Sequence, residues 1–154
     1  MVNGMISNPR LLETYLDVAY SFSQLSYAKR LQVGCVMVKH DRIISIGYNG
    51  TPSGWSNRCE NTIIDIKTGK EVLVTRPEVL HAESNAIAKL ARSTESGEGA
   101  SLICTHAPCL DCSKLIYQSG ITQVLYQFLY KNEDGLEFLK KSGIEVIQIS
   151  GAGY

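Results

Sequence analysis

Apolar side chains at Leu11, Leu12, Tyr15, Leu16, Ala19 and Phe22 recur every three or four residues. That rhythm predicts a long amphipathic helix from residue 9 to about residue 30. Asn8 and Pro9 start it, as a polar cap and a proline at the first helical position. The pattern then changes. "VGCVMVKH" (33–40) and "RIISIGYN" (42–49) are rich in β-branched residues and nearly touch, which predicts a β-hairpin turning at His40 and Asp41. Residues 50–76 are turn-rich, with a second small hairpin expected around Thr68 and Gly69. So long a connection is often functional. From residue 79 the order is helix (79–92), polar turn (93–100), strand ("ASLICT"), helix (110–119, stopped by Gly120), strand ("ITQVLYQ"), helix ending at Gly143, and strand ("IEVIQI"). Helices joining strands predict parallel pairing there, after an antiparallel first pair. The fold class is therefore α/β: a three-layer α/β/α sandwich with a five-stranded mixed sheet, drawn as one domain over 1–154.

Composition narrows the function. The chain has 154 residues, 44% hydrophobic and 19% charged, which is ordinary for a globular domain. Lys plus Arg is 15 and Asp plus Glu is 15, so formal net charge is zero. A protein gripping a long phosphate backbone carries a basic excess or stripe, so no nucleic-acid partner is expected. No apolar run approaches the roughly 18 residues of a membrane span, so no membrane partner is expected either. "MVNGMISNPRLLETY" lacks the charged-then-apolar layout of a leader, and the expected location is cytoplasmic.

The five cysteines do not suit a disulfide framework. Cys35 and Cys104 sit in apolar strand patterns and read as small core residues. Cys109 and Cys112, in "APCLDC", lie three apart where a helix begins, on one face. The positive end of the helix favours thiolates. The pair suits either a metal or redox chemistry. A third ligand is available in His81, which also begins a helix. Helix starts gather at the carboxyl ends of parallel strands, so His81, Cys109 and Cys112 can share one Zn2+. His40 reads as a solvated turn residue, and His106 as a strand-exit residue facing a pocket or solvent. Three protein ligands leave one position for water. Glu83, off the metal, can then take a proton from that water and pass it to a leaving nitrogen. H-x-E followed by P-C-x-x-C is the arrangement of zinc deaminases acting on cytosine or adenine.

With these residues in view, the chain resembles the cytidine deaminase superfamily, and within it the deoxycytidylate (dCMP) deaminases. "VGCVMVKHDRIISIGYNGTPSGWSN", "HAESNAI" and "APCLDCSKLIYQSGITQVLY" carry the resemblance. It implies zinc held by His81, Cys109 and Cys112, with Glu83 as the catalytic proton carrier, and hydrolysis of dCMP to dUMP and ammonia. It also implies a homo-oligomer, often a hexamer, activated by dCTP and inhibited by dTTP. By the same resemblance Asn49 binds a nucleotide's sugar or base. The loop holding Gly47, Gly50, Pro52 and Gly54 forms a nucleotide site for substrate or effector. A plain turn would use the same residue types. Arg58, Arg76, Lys114 and Tyr130 are candidates for the phosphate. Trp55 reads as core or as a stacking platform, and Cys59 beside Glu60 as an exposed loop thiol rather than the remnant of a second metal site. Relatives commonly carry an apolar or small residue where His106 stands, which bears on pocket shape. Two other readings share parts of this pattern: a deaminase editing bases within RNA or DNA, and a nucleotide-binding regulatory module with structural zinc. The former calls for a basic groove, the latter for a fourth protein ligand.

Overall fold

The computed structural model describes residues 6–150. The first residues of the leader reading, and both ends of a domain drawn over 1–154, lie outside them. The elements run α1 (Pro9–Ser23), β1 (Gly34–Lys39), β2 (Arg42–Tyr48), β3 (Glu60–Ile64), β4 (Glu71–Thr75), α2 (Ala82–Ala91), β5 (Ser101–His106), α3 (Leu110–Gln118), β6 (Gln123–Phe128), α4 (Asp134–Lys141) and β7 (Glu145–Gln148). Five strands form the main sheet in the order β2-β1-β5-β6-β7, and β3 pairs only with β4. β1 is antiparallel to both neighbours, while β5, β6 and β7 are parallel. The expected five-stranded mixed sheet is thus present.

Alternation along the strands explains the layers. Val36 and Val38 of β1 and Ile103 of β5 point to α1, joining Leu16 and Ala19 in one core cluster. Cys35, Met37, Leu102 and Cys104 point the other way, against Ala86 of α2, Ile116 of α3 and Leu139 of α4. Cys35 and Cys104 are directly opposite across the ladder and fully buried, so their core assignment holds. Each large side chain buried this way stabilises the fold by about 1.5–3 kcal/mol.

Local signals act as their chemistry requires. The Asn8 side chain accepts from the Arg10 N–H, with Pro9 at the helix start. His40 and Asp41 both have positive φ, the mark of a tight hairpin turn. Helix α1 is shorter than its hydrophobic rhythm predicts, ending at Ser23 and not near residue 30. The Ser23 hydroxyl donates back to the Tyr20 carbonyl, and the Ser26 hydroxyl donates to the Asn49 carbonyl. These bonds compete with helical continuation. The chain must also turn back, because Gly34 packs where a Cβ would lie 2.0 Å from the Ala19 carbonyl oxygen. Leu25 and Leu31 continue the rhythm, but residues 24–33 form an irregular segment.

Candidate active site

β2, β5 and β6 run in one direction, and their ends gather with the starts of α2 and α3. Gly47 makes the junction possible: a Cβ there would lie 2.0 Å from the carbonyl oxygen of Ala82 in the first turn of α2. Main-chain bonds between Gly50 and Leu80 bring the chain back after its long excursion and place His81 at the site.

His81 and Cys109 are the N-cap residues of α2 and α3, and neither side chain caps its own helix. Both are free to face a common point. The His81 Nδ1 lies 3.5 Å from the Cys109 Sγ and 3.4 Å from the Cys112 Sγ. Tetrahedral zinc, with bonds of about 2.0 Å to nitrogen and 2.3 Å to sulfur, sets ligand atoms about 3.5 Å apart. The three donors therefore fit such an ion, and all lie within 4.8 Å of one another. Their charges are coupled. Cys109 is held well below the usual thiol range, first by its hydrogen bond with Cys112 and then by that with His81. Cys112 is pushed up by the same bond and by burial. His81 is raised, chiefly by its bond to Cys109. A cation bound by both sulfurs replaces the proton they share.

Glu83 lies two residues into the same neighbourhood, in the first turn of α2, and is only 4% exposed. Burial raises its pKa to about 7. It is not one of the three grouped donors. A carboxyl group balanced near neutrality can both accept and release a proton.

The centre opens on a cavity of about 460 Å3 whose wall includes His81, Glu83, Cys109, Asn49 and His106. That size suits a small-molecule site, roughly 300–1,000 Å3. His106 ends β5, with Nδ1 2.9 Å from the Thr105 hydroxyl and its ring against Phe128. Burial lowers its pKa. A second cavity of about 360 Å3 is lined by Gly50, Pro52 and Gly54, together with Asn85 and Lys89. Asn49 borders both. The 47–54 loop is thus divided: Asn49 reaches the first cavity, Gly50, Pro52 and Gly54 face the second, and Gly47 lies buried against α2.

Other expected residues separate further. Lys114 is exposed on α3 and paired with Asp111, outside both cavities. Arg76 pairs with Glu78, and the Arg58 Nε donates to the Glu60 carbonyl. Of the four phosphate candidates only Tyr130 lines the first cavity. Cys59 is buried rather than exposed, at 2%, with its thiol toward the Asn57 carbonyl. Trp55 is 60% exposed, so it is not core. The cavity residues that pattern reading missed include Arg30, Leu31, Val33, Glu60, Thr75 and Lys131. Arg30 was hidden by the overextended helix, and Val33 reads only as the start of a strand. Lys131 has φ of 53°, a strained value for a side-chain-bearing residue that no sequence rhythm signals.

Residues 9–128 match the cytidine and deoxycytidylate deaminase zinc-binding region. The chain belongs to the cytidine and deoxycytidylate deaminase family. Family members similar to it include the deoxycytidylate deaminase of Enterobacteria phage T4, 35% identical over 88% of each chain. The deoxycytidylate deaminase of Saccharomyces cerevisiae is 35% identical over 88% of this chain and 44% of its own. Among solved family structures, the dCMP deaminase of cyanophage S-TIM5 in complex with dCMP and dUMP superposes with a TM-score of 0.82. It is 43% identical, covering 94% of this chain and all of that one.

Proposed function

We propose that this protein is a zinc-dependent dCMP deaminase, hydrolysing dCMP to dUMP with release of ammonia. The observation that carries this reading is the meeting of His81, Cys109 and Cys112 beside a buried, unligated Glu83 at a mononucleotide-sized cavity. Similarity to a protein solved with dCMP and dUMP supports the choice of nucleotide.

His81 Nδ1, Cys109 Sγ and Cys112 Sγ would hold the ion as its three protein ligands. When bound, zinc supplies a Lewis acid that makes a neighbouring water more acidic. Glu83 takes a proton from the attacking water on its carboxylate as the oxygen adds to C4 of the cytosine ring. It passes that proton to ring N3, then carries the proton of the new C4 hydroxyl to the amino nitrogen, leaving a C4 carbonyl. The C4–N bond breaks, and ammonia leaves. Burial, which lifts the Glu83 pKa to about 7, suits it to both transfers near neutral pH.

The reading extends to regulation and assembly. The second cavity, walled by Gly50, Pro52 and Gly54, has room for an effector nucleotide, with dCTP as activator and dTTP as inhibitor. The working form is a homo-oligomer, a hexamer by the resemblance. Action in the cytoplasm is part of the same reading; among the described residues no helix is long and apolar enough to cross a membrane.

An ammonia-release assay with dCMP, deoxycytidine, cytidine and a single-stranded oligonucleotide tests the substrate, with dCTP and dTTP added in turn. Preference for dCMP is expected. Preference for the oligonucleotide would replace this reading with nucleic-acid editing.

A further inference from the structure

The β3–β4 hairpin interrupts the chain between β2 and α2 and joins no other sheet. Its base is tied to the body of the molecule. There the buried Glu60 accepts from the main-chain N–H groups of Lys29 and Arg30. Thr75, directly across the ladder, accepts from the Arg30 guanidinium at 2.8 Å. Beyond the base the side chains lie open: Ile63, Ile64, Val72, Leu73 and Val74 are all exposed. A lone two-stranded hairpin is marginal in water, and a run of large apolar side chains left uncovered marks an interaction surface.

The ladder shows which groups are unpaired. Main-chain bonds from the Arg76 N–H to the Cys59 carbonyl and from the Asp65 N–H to the Lys70 carbonyl close its two ends. Between them Asn61 faces Val74 and Ile63 faces Val72. Bonded and non-bonded pairs alternate along an antiparallel ladder. Val72 and Val74 therefore bond inward to β3, and the main-chain groups of Glu71, Leu73 and Thr75 point outward. Among the described residues no main-chain bond from outside the ladder reaches those three. Edge strands are commonly blunted by proline, lysine or a bulge. β4, "EVLVT", has neither residue, and its register runs without a shift.

A second copy fits this edge, because β4 is complementary to itself. Antiparallel pairing about a two-fold axis at Leu73 aligns all five positions of the strand. Leu73 then exchanges main-chain bonds with the partner's Leu73, and Glu71 with the partner's Thr75. Val72 lies beside the partner's Val74 on one face, as an apolar cross-strand pair. No like charges oppose each other within the strand. Glu71 instead comes beside the guanidinium that Thr75 holds, which has no ion pair among the described residues.

We infer that the outer edge of β4 is an interface between copies of this chain, where two hairpins join in one four-stranded sheet with Leu73 on the two-fold axis. This rests on the homo-oligomer part of the reading above and names its surface. It does not depend on the substrate.

The test is the mass of the full chain in solution, by light scattering on a sizing column, together with crosslinking. Leu73→Pro removes an outward N–H and leaves the β3–β4 ladder bonds in place, a position where a strand tolerates proline. Its particle mass is expected to be half that of the wild type or less, while Leu73→Ala, which keeps the N–H, should stay closer to wild type. Leu73→Cys supplies the positive arm. Bonded residues facing across such an axis sit about 5.5 Å apart at Cα, within disulfide reach. Diamide should convert most of this variant to a reducible dimer, with little dimer from wild type or from Lys67→Cys at the hairpin's turn. If circular dichroism shows that Leu73→Pro does not fold, the crosslinking arm decides alone. A folded Leu73→Pro with wild-type mass, or equal crosslinking at positions 67 and 73, would overturn the inference while an oligomeric wild type left the homo-oligomer reading intact. A monomeric wild type would remove both, whether or not it releases ammonia from dCMP.

Discussion

The two sides of the main cavity are built on different logic. On one side, His81, Cys109 and Cys112 point away from their own helices and toward one another, free for an ion. On the other, side chains that could meet a ligand are bound to the main chain. The Asn49 amide donates to the Leu31 carbonyl and its oxygen accepts from the Val33 N–H. The Glu60 carboxylate accepts from the main-chain N–H groups of Lys29 and Arg30. Regular helix starts position the first side without help, whereas an irregular segment needs side chains to fix its shape. A polar residue at a cavity wall is therefore not always a ligand contact, and hydrogen-bond partners tell the two cases apart.

The contrast can be broken most severely at the ion centre. His81→Ala or Cys109→Ser should reduce bound zinc well below one ion per chain and abolish ammonia release, as should chelation, with zinc restoring activity only to the wild type. Metal analysis on the purified variants checks this, and unchanged stoichiometry would strike that residue from the ligand set. Next in size is the junction between the two sides. Gly47→Ala places a methyl group against the Ala82 carbonyl, and overpacking of this kind costs about 3 kcal/mol. Urea unfolding should show the loss, together with reduced metal retention because the start of α2 is displaced.

Glu83 gives a pH signature of similar magnitude in the metal-free protein. Its folded pKa, about 7, lies above the usual value of 4.5, so the folded state holds this proton more tightly than the unfolded one. The contribution is fully present below pH 4.5 and is lost as pH rises through 7. Metal-free Glu83→Gln should therefore exceed metal-free wild type at pH 8 by up to roughly 3 kcal/mol, with the gap closing toward pH 4.5. A gap independent of pH would contradict the assignment. On the opposite wall, Asn49→Ala removes two hydrogen bonds to the main chain and should cost about 2 kcal/mol. It should raise KM more than it lowers kcat. Trp55→Ala, at an exposed site, should change stability by no more than about 0.5 kcal/mol.

Legibility followed the same divide. Period and capping were enough to read the sheet, the helix starts and Gly120 as a helix stop, because each is a local signal. The meeting of His81, Cys109 and Cys112 was legible because His and Cys at helix starts have few other uses in that pattern. What escaped depends on distant partners. The α1 rhythm runs past Ser23, but Ser26 bonds to Asn49 and Gly34 must reach Ala19, and neither bond nor contact shows in a local window. Arg30, Glu60 and Thr75 meet across separations of 30 and 45 residues. Cys59 sits in a turn-rich stretch that suggested exposure, yet the fold of the 49–60 loop buries it.

The most direct measurement is Glu83→Gln assayed for bound zinc and for ammonia release from dCMP in the same preparation. One zinc per chain with turnover lowered by about a thousandfold is predicted, since the amide cannot carry the proton while the three ligands remain. Full zinc occupancy with turnover close to wild type would contradict the account at its centre.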